Sequence, residues 1–196
     1  MADKIYCYPN SDVLINKLNI RDMDKLRNFE RRLTMLRLSE LLDKPIVGKF
    51  DLEHLQQIHK YIFQDIYEWA GQIRTVDIAK GNMFCNVKFI EPQAKLIFDN
   101  LKKDNYLIGF EEDVFVKRLA YYFAEINALH PFREGNGRSQ REFIRSLALR
   151  NGYIINFSNI SREDMIKASS KSFLCDYTEM EQIFSICIRK RSFGPE

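Results

Sequence analysis

Glycine and proline are scarce in this sequence. Its 196 residues include eight Gly and five Pro, which excludes a collagen-like or low-complexity chain. Hydrophobic residues make up 45% and charged residues 29%, close to the averages of globular domains, so wholesale disorder is excluded too. The length suits one domain with a core of its own, and fifteen Phe and nine Tyr supply large side chains for that core.

Long hydrophobic runs are also missing. The most apolar stretch, residues 119–129, is too short to cross a membrane and contains Glu125 and Asn127. The first ten residues, MADKIYCYPN, place charges where a signal peptide would have its apolar segment. The four cysteines have no CxxC spacing and the three histidines fit no zinc pattern. We therefore expect reduced thiols, no zinc site, no membrane partner and a cytosolic location.

A strong excess of one charge is lacking as well. The 30 Lys and Arg residues are nearly balanced by 27 Asp and Glu residues, for a net charge of +3. This excess is much weaker than the clustered positive charge of a dedicated DNA-binding protein, and no basic recognition helix is visible. We expect no direct contact with nucleic acid, although an anionic small ligand is compatible with this balance.

Apolar residues recur at helical spacing over most of the chain, which predicts an all-α, mainly helical fold. The positions expected to face the core are, helix by helix, Leu26, Phe29, Leu33 and Leu36; Leu55, Ile58, Ile62, Ile66 and Trp69; Leu96 and Leu101; Phe115, Leu119, Tyr122, Ile126 and Leu129; and Phe143, Ile144, Leu147 and Ala148.

Capping and breaking residues predict where these helices begin and end. Asp51 is expected to cap the second helix and Gly71 to close it. Pro92 lies near the start of the third helix, and the fourth, at about 112–129, ends before Pro131. The fifth begins after Gly137 and ends at 151–152. Two later helices have N-terminal capping patterns, Ser161-x-x-Asp164 and Asp176-x-x-Glu179.

One segment departs from the helical pattern. Residues 73–78 (IRTVDI) and 82–90 (NMFCNVKFI) are β-prone and flank Lys80-Gly81, which predicts a hairpin. A lone hairpin must lie on the helical body to be stable. We expect a single domain over residues 1–196, with N-terminal helices and the hairpin at about 6–110, a helix-loop-helix core at about 111–152 and C-terminal helices at about 153–191.

The segment most informative about function is HPFREGNGRSQR, residues 130–141. Gly135-Asn136-Gly137 opens directly into a helix, where glycine lets the backbone approach a ligand and unpaired N–H groups lie at the positive end of the helix dipole. Arg138 and Arg141 share a face of the first turn, an unfavourable place for cations unless an anion binds there. Together these residues predict a phosphate site.

Two further residues of the segment carry chemistry. The Glu134 carboxylate suits Mg2+ bound to phosphate oxygens, and His130, just past a helix end, suits a general base near neutral pH. Each residue also has a simpler interpretation, because a histidine can be structural, Gly-Asn-Gly only a turn and paired arginines only solvated. We interpret Phe132 as a structural anchor that pins the loop to the core. The presence of all of them within one short segment favours an active site.

This segment resembles the Fic signature, H-P-F-x-[D/E]-G-N-G-R-x-x-R, at every specified position. The resemblance extends over about Tyr6 to Ser158, through YCYPNSDVLINKLNI near the start and YEWAGQIRTV before the hairpin. It implies a helical bundle core with a β-hairpin flap over the active site. It also implies an enzyme, a protein adenylyltransferase that transfers AMP from ATP to a Ser, Thr or Tyr hydroxyl of a target protein and releases pyrophosphate.

The resemblance implies a role for each motif residue. His130 would be the general base, and Glu134 would position Mg2+ on the nucleotide. The phosphates would be held by Gly135, Asn136, Gly137, Arg138 and Arg141, with the two arginines on the β- and γ-phosphates. The target backbone would pair with a flap formed by Lys80, Gly81, Asn82, Met83 and Phe84. A related branch that phosphorylates its target has Lys at the position of Gly137, so glycine here favours adenylylation.

Many Fic enzymes are inhibited by a helix with the pattern [S/T]-x-x-x-E-[G/N], whose Glu pairs with the second motif arginine. In this sequence only Ser192 to Glu196 gives S-x-x-x-E, without the following Gly or Asn. The resemblance therefore implies the toxin of a toxin–antitoxin pair in a bacterial cytosol, with a separate small antitoxin and, as a family-level expectation, a type II DNA topoisomerase subunit as target. Another nucleotide or phosphoryl donor, or a non-catalytic nucleotide-binding regulator, stays open as an alternative.

Overall fold

The computed structural model describes residues 2–191, and this part of the chain is mainly helical. It contains seven α-helices and two small antiparallel sheets of two strands each. The helices are α1 (Met23–Asp43), α2 (Leu52–Phe63), α3 (Ile90–Lys103), α4 (Glu112–Leu129), α5 (Asn136–Arg150), α6 (Arg162–Ser172) and α7 (Thr178–Cys187). The strands are β1 (Ala79–Lys80), β2 (Asn82–Met83), β3 (Tyr153–Ile155) and β4 (Ile188–Lys190). The predicted fold class, helices with a small β-hairpin, is confirmed.

Helices α2, α4 and α5 form the centre of the domain. α4 packs against α3, α5 and α7, and α2 packs against α1 and α5. Burial of one aliphatic or aromatic side chain stabilises the fold by about 1.5–3 kcal/mol relative to exposure. The buried side chains of the three helices therefore hold the end of α4 and the start of α5 in place. The side chains between the three helices are almost fully buried: Leu55, Ile58 and Ile62 of α2, Leu119, Tyr122 and Ile126 of α4, and Phe143, Ile144 and Leu147 of α5. No helix within residues 2–191 has the length and apolar character that a bilayer crossing requires.

Most of the predicted helix ends are confirmed by their capping contacts. The Asp51 carboxylate accepts the N–H of His54 at 2.9 Å at the start of α2, and the Ser161 hydroxyl accepts the N–H of Asp164 at 3.0 Å at the start of α6. The end of α4 before Pro131 is also as predicted.

Three predicted ends are wrong. α5 begins at Asn136 and not after Gly137, because the left-handed turn that precedes the helix is at Gly135. α2 ends at Phe63 and not at Gly71, because the chain turns there and brings Ile66 and Tyr67 into the core. The N-cap of α7 is Tyr177, one residue after the predicted Asp176, although the Asp176 carboxylate accepts the N–H of Thr178 at 3.1 Å.

The face of α1 that was predicted to be buried is partly wrong. Phe29 and Leu36 are 48% and 56% exposed, whereas Thr34 is buried. Helix α1 is turned so that Glu30 and Thr34, which lie four residues apart and therefore on one face, contact Arg138 of α5. The partly buried cation of Arg138 thus favours this face of α1 on the inside.

The same kind of error affects α3. Leu96 is 54% exposed, and the neighbouring Ile97 and Phe98 are buried in its place. A single predicted position cannot distinguish between adjacent faces of a helix, because consecutive residues differ in direction by about 100°.

The hairpin is much shorter than predicted. Its pairs are Ala79 with Met83 and Lys80 with Asn82, and Gly81 forms the turn with φ +79°. Residues 73–78 form no strand, because the buried side chain of Arg74 lies across them and donates to the Val76 carbonyl. Residues 87–89 form a single 3-10 turn that leads directly into α3.

A second sheet lies at the other end of the chain, where only helices were predicted. β3 pairs with β4 in antiparallel register, with Tyr153 opposite Lys190 and Ile155 opposite Ile188. Tyr153 and Ile155 are buried while Ile154 is half-exposed, the alternation of a strand with one face on the core. The sheet anchors the segment that runs from α5 towards α6.

Candidate active site

The loop between α4 and α5 borders a cavity of about 700 Å³. The wall opposite the loop comes from Phe84 of the flap (residues 79–84) and from the segment that leads into and forms α6. From the motif the lining includes His130, Glu134, Asn136, Gly137 and Arg141, and from the opposite wall Phe84, Phe157, Ile160, Met165 and Phe173. The structure therefore brings five of the proposed motif residues to one cavity, while Gly135 and Arg138 lie outside its lining.

His130 is the C-terminal cap of α4 and has a left-handed backbone, with φ 45° and ψ 59°. Residues other than glycine rarely adopt this conformation, so the surrounding structure must hold it. Its Nδ1 lies 3.2 Å from the carbonyl oxygen of Asn127. Because a carbonyl oxygen can only accept, Nδ1 carries the proton, and Nε2 is the basic nitrogen of the ring.

The flap covers the imidazole of His130. The ring of Phe84 stacks on it with 3.7 Å between ring centroids and 15° between the planes. Met83 is 68% exposed at the tip, beside the Gly81 turn, where an added Cβ would meet no atom within 4 Å. Of the proposed flap residues, Phe84 therefore belongs to the cavity, while Gly81 and Met83 face outward.

The first turn of α5 presents unpaired donors to the cavity. Within residues 2–191, the N–H groups of Asn136 and Gly137 have no hydrogen-bond acceptor, and Arg141 has neither an ion-pair nor a hydrogen-bond partner. Burial, and to a smaller degree the charge of Arg138, lowers the pKa of Arg141. A Cβ on Gly137 would lie 3.4 Å from Arg141 Nη1, so the guanidinium and the helix N-terminus converge. This arrangement favours a bound anion.

The side chain of Asn136 is committed to the loop itself. Its Oδ1 accepts the N–H of Phe132 at 2.9 Å, and its Nδ2 donates to the Phe132 carbonyl at 2.7 Å. What Asn136 can offer an anion is therefore its backbone N–H. Gly135 has φ +82°, and a Cβ there would lie 2.2 Å from Cζ of Phe63, so only glycine fits.

His59 of α2 holds the loop from the core side, although no sequence pattern indicates it. Its Nε2 donates to the Glu134 carbonyl at 2.9 Å, and its Nδ1 accepts the N–H of Gly71 at 2.8 Å. The ring stacks on Phe132 and Phe63, with centroid distances of 3.8 and 4.7 Å. Burial lowers the pKa of His59 to about 4, so the ring is neutral at pH 7, as its two hydrogen bonds require.

Arg138 points away from the cavity towards α1. It forms an ion pair with Glu30, and its Nη1 donates to the Thr34 hydroxyl at 3.1 Å. The other oxygen of Glu30 accepts the hydroxyl proton of Tyr67, and the guanidinium lies 4.7 Å from the centroid of the Phe63 ring. The two motif arginines thus differ, since among the described residues Arg138 has a partner and Arg141 has none.

Glu134 borders the cavity beside the helix N-terminus. One carboxylate oxygen accepts the N–H of Gly135 at 2.9 Å. Within the described part of the chain, no three or more His, Cys, Asp or Glu side chains are grouped so that they could hold a metal ion. A single carboxylate beside a phosphate site fits Mg2+, which commonly binds through one or two carboxylates together with substrate phosphates.

The sequence and fold are similar to those of known proteins. The model of the Fic/DOC family matches residues 49–148. The chain is 40% identical over 192 residues to "Probable protein adenylyltransferase Fic" of Escherichia coli strain K12, and the match covers 94% of this chain and 95% of that relative. The chain belongs to the Fic/DOC family.

A second relative and a solved structure support the same assignment. "Protein adenylyltransferase VbhT" of Bartonella schoenbuchensis is 44% identical over 169 residues, which cover 86% of this chain but 35% of VbhT. The N-terminal Fic domain of a Bep effector protein from Bartonella quintana, solved with bound ADP, superposes with a TM-score of 0.92 at 29% identity over 96% of each chain. The shared region therefore includes the whole helical core described above.

We expect the stability of the protein to fall as the pH is lowered from about 6.5 to about 4. The pKa of His59 is about 4 in the folded protein and near its ordinary value of about 6.5 in the unfolded chain. Between these values the unfolded chain binds more protons, so the free energy of unfolding decreases on acidification, by up to ~3 kcal/mol. Above this window His59 contributes no pH dependence. Urea denaturation at several pH values measures the effect.

The matched variant is His59→Gln, which keeps a donor and an acceptor but does not titrate. It should be less stable than the wild type at pH 7 and should depend less steeply on pH between about 4 and 6.5. An unchanged slope in the variant would show that other groups cause the acid sensitivity.

Substitution of Gly135 by alanine should destabilise the protein by ~2–4 kcal/mol, because the new Cβ meets Phe63 and the backbone has a positive φ. Gly137→Ala is the control, since its φ is ordinary and its nearest neighbour would be the flexible end of Arg141 at 3.4 Å. Urea denaturation of both variants tests this difference. Equal losses at the two positions would contradict the close packing of the loop on Phe63.

Proposed function

We propose that this protein is a protein adenylyltransferase that transfers AMP from ATP to a hydroxyl group of a target protein. The observation that carries the proposal is the convergence on one cavity of His130, the α5 N-terminus and Arg141, which has no partner within residues 2–191. A general base, an anion site and space for a nucleotide are the parts that such a transfer needs. The bacterial relatives named adenylyltransferases support the same chemistry.

In the proposed reaction the target hydroxyl oxygen attacks the α-phosphorus of ATP. A bond forms between this oxygen and phosphorus while the bond from phosphorus to the β-phosphate oxygen breaks. The hydroxyl proton passes to Nε2 of His130, whose Nδ1–H is oriented by the Asn127 carbonyl. The products are the AMP-modified protein and pyrophosphate. Because the pKa of such hydroxyls lies far above neutrality, proton removal accompanies the attack.

The phosphates occupy the N-terminus of α5. The N–H groups of Asn136 and Gly137 suit the α-phosphate, where negative charge develops during transfer. Arg141 binds an outer phosphate directly, since it has no partner within the described residues. Arg138 would have to exchange Glu30 for a phosphate oxygen to do the same, so we assign it a supporting positive charge behind the site.

Mg2+ fits this arrangement through Glu134, whose carboxylate borders the cavity. When bound, the ion would neutralise phosphate charge and favour departure of pyrophosphate. The apolar wall opposite the loop, which includes Phe157, Ile160 and Met165, suits the flat face of the nucleotide base.

The flap aligns the target chain in this proposal. Residues 79–83 form a short hairpin beside the cavity, and an extended target segment can add to its edge by backbone hydrogen bonds. Phe84, stacked on His130, fixes the distance between this edge and the base. The target residue would thus be chosen partly by backbone geometry.

We further propose that a separate small antitoxin inhibits the enzyme. A second cavity of about 380 Å³ between α1 and the motif helix shares Arg141 with the nucleotide cavity. Its apolar lining includes Met35 and Leu42, which are 61% and 62% exposed. An amphipathic helix could cover these side chains and place a carboxylate on Arg141, where it would exclude the outer phosphate. The motif Ser192–Glu196 lies outside the described residues.

The biological setting is part of the proposal and rests on the resemblance to the Fic signature. A toxin in the bacterial cytosol, with a type II DNA topoisomerase subunit as target, is the setting that we test first. The alternative chemistry is transfer from another nucleotide, or of a terminal phosphoryl group. Gly137 disfavours a terminal phosphoryl transfer, because the N–H groups at this position remain accessible to the α-phosphate.

Incubation of the protein with α-labelled ATP, Mg2+ and a bacterial lysate should label a protein band. The same incubation with γ-labelled ATP should not, because the γ-phosphate leaves with pyrophosphate. His130→Ala should reduce labelling at least ~100-fold by removing the general base, whereas ATP affinity should stay within ~2-fold. Gel autoradiography and calorimetry measure the two effects.

Labelling from γ-labelled ATP alone would show phosphoryl transfer. ATP binding without any labelling would support the alternative of a non-catalytic nucleotide-binding regulator. Full labelling by the His130 variant would exclude this residue as the base. Purified topoisomerase subunits added singly identify or exclude the family-level target.

If a separate antitoxin is the inhibitor, Glu196→Gln should leave the rate of transfer within ~2-fold of the wild-type rate. Glu196 is the only glutamate of this sequence that stands in an S-x-x-x-E pattern, and so the only candidate for an inhibitory carboxylate of that type. The initial rate of α-label incorporation into lysate proteins measures this. A many-fold rise in the variant would show that the chain inhibits itself and would remove the need for an antitoxin.

A further inference from the structure

Arg74 is a fully buried charged residue that the proposed mechanism does not use. It is 1% exposed, and within the described residues it is the largest of the fully buried side chains. Its Nε donates to the His130 carbonyl at 2.8 Å, its Nη1 to the Val76 carbonyl at 2.7 Å and its Nη2 to the Cys85 carbonyl. Its own N–H donates to the Pro131 carbonyl at 2.9 Å. One guanidinium therefore joins three separate stretches of backbone.

The three carbonyl groups belong to the two parts of the site that must be aligned. Val76 and Cys85 lie on either side of the flap, one before β1 and one after β2. His130 carries the left-handed backbone that needs support from its surroundings. Cys85 is also tied to α4, since its N–H donates to the Ala128 carbonyl at 3.0 Å. The flap and the base are thus held at a set distance through Arg74.

Burial of the Arg74 charge carries a desolvation cost. The nearest carboxylate, Asp77, lies 3.8 Å from Nη1 and is 44% exposed, and burial lowers the pKa of Arg74. A planar guanidinium stays charged and has five N–H donors in fixed directions, whereas an ammonium group has three donors on a flexible stem and loses its charge more readily when buried. An apolar side chain of similar size would avoid the desolvation cost but would leave three carbonyl groups unpaired.

The phosphate end of the loop is held without Arg74. The Asn136 side chain closes on Phe132, and His59 holds the Glu134 carbonyl. None of these contacts involves the guanidinium of Arg74. Loss of Arg74 should therefore disturb the base and the flap while it spares the anion site.

We propose that Arg74 is a positioning residue that couples the flap to His130 and so aligns the target hydroxyl with the basic nitrogen. The inference rests on the proposed transfer function. It separates two contributions to the reaction, since nucleotide binding belongs to α5 and alignment of base and target belongs to Arg74.

The test compares the wild type with Arg74→Met and Arg74→Lys. The rate of α-label incorporation into proteins of a bacterial lysate is measured against ATP concentration, and ATP affinity is measured by calorimetry. For Arg74→Met we expect the maximal rate to fall ~100-fold, the loss typical of a misaligned reacting pair. KM and Kd for ATP should stay within ~2-fold. Arg74→Lys should recover part of the rate, because it restores the charge and one or two of the donors.

A double-mutant cycle with Phe84→Ala distinguishes alignment from general stability. If Arg74 acts through the flap and His130, the two substitutions share one effect, and the double variant should be about as slow as the slower single variant. If the methionine variant fails to fold, the lysine variant in the same cycle gives the same comparison.

Two results would overturn the inference. One is an unchanged maximal rate in both Arg74 variants. The other is a parallel loss of rate and ATP affinity, with additive effects in the cycle, which would mean that Arg74 only supports the fold. Failure of the proposed function is a separate outcome, because the wild type itself would then transfer no α-label.

Discussion

The loop between α4 and α5 must present polar groups to a cavity while its own backbone is held from the interior. Three side chains satisfy its backbone from the core side: Arg74 binds the His130 carbonyl, His59 binds the Glu134 carbonyl and Asn136 closes on Phe132. These contacts are buried or partly buried, and a buried backbone group left unsatisfied would cost about 1–3 kcal/mol. Because these hydrogen bonds from the core side satisfy the loop backbone, the remaining N–H donors of the loop are available to a ligand.

The electrostatics of the site follow from this arrangement. Positive charge from two arginines and a helix dipole collects at the start of α5, yet only one arginine is neutralised within the described structure, by Glu30. Arg141 has no counter-ion within residues 2–191, and burial together with the charge of Arg138 lowers its pKa. An anion that enters the cavity gains these interactions without reorganisation of the loop, which is the condition for effective electrostatic catalysis.

The local parts of this architecture could be predicted from the sequence, and the distant ones could not. Helical spacing and capping residues predict α4 and α5, and the density of glycine and arginine in one segment predicts the phosphate site. No local pattern indicates Glu30, His59 or Arg74, whose contacts in the site lie 108, 75 and 56 residues away along the chain. A glutamate in a charged helix resembles a solvated residue, and a histidine on an apolar face resembles a packing residue. The predicted length of the hairpin was wrong for the same reason, because the contacts of the buried Arg74 replace a strand over the β-prone residues 73–78.

A crystal structure with a non-hydrolysable ATP analogue and Mg2+ tests the central claim most directly. We predict an α-phosphate oxygen within about 2.7–3.2 Å of the N–H groups of Asn136 and Gly137, an outer phosphate on Arg141, and Nε2 of His130 facing the α-phosphorus. The contact between Asn136 and Phe132 should be the same with and without nucleotide. A nucleotide bound elsewhere, or a loop that breaks this contact to bind it, would contradict the account of a loop organised before its ligand arrives.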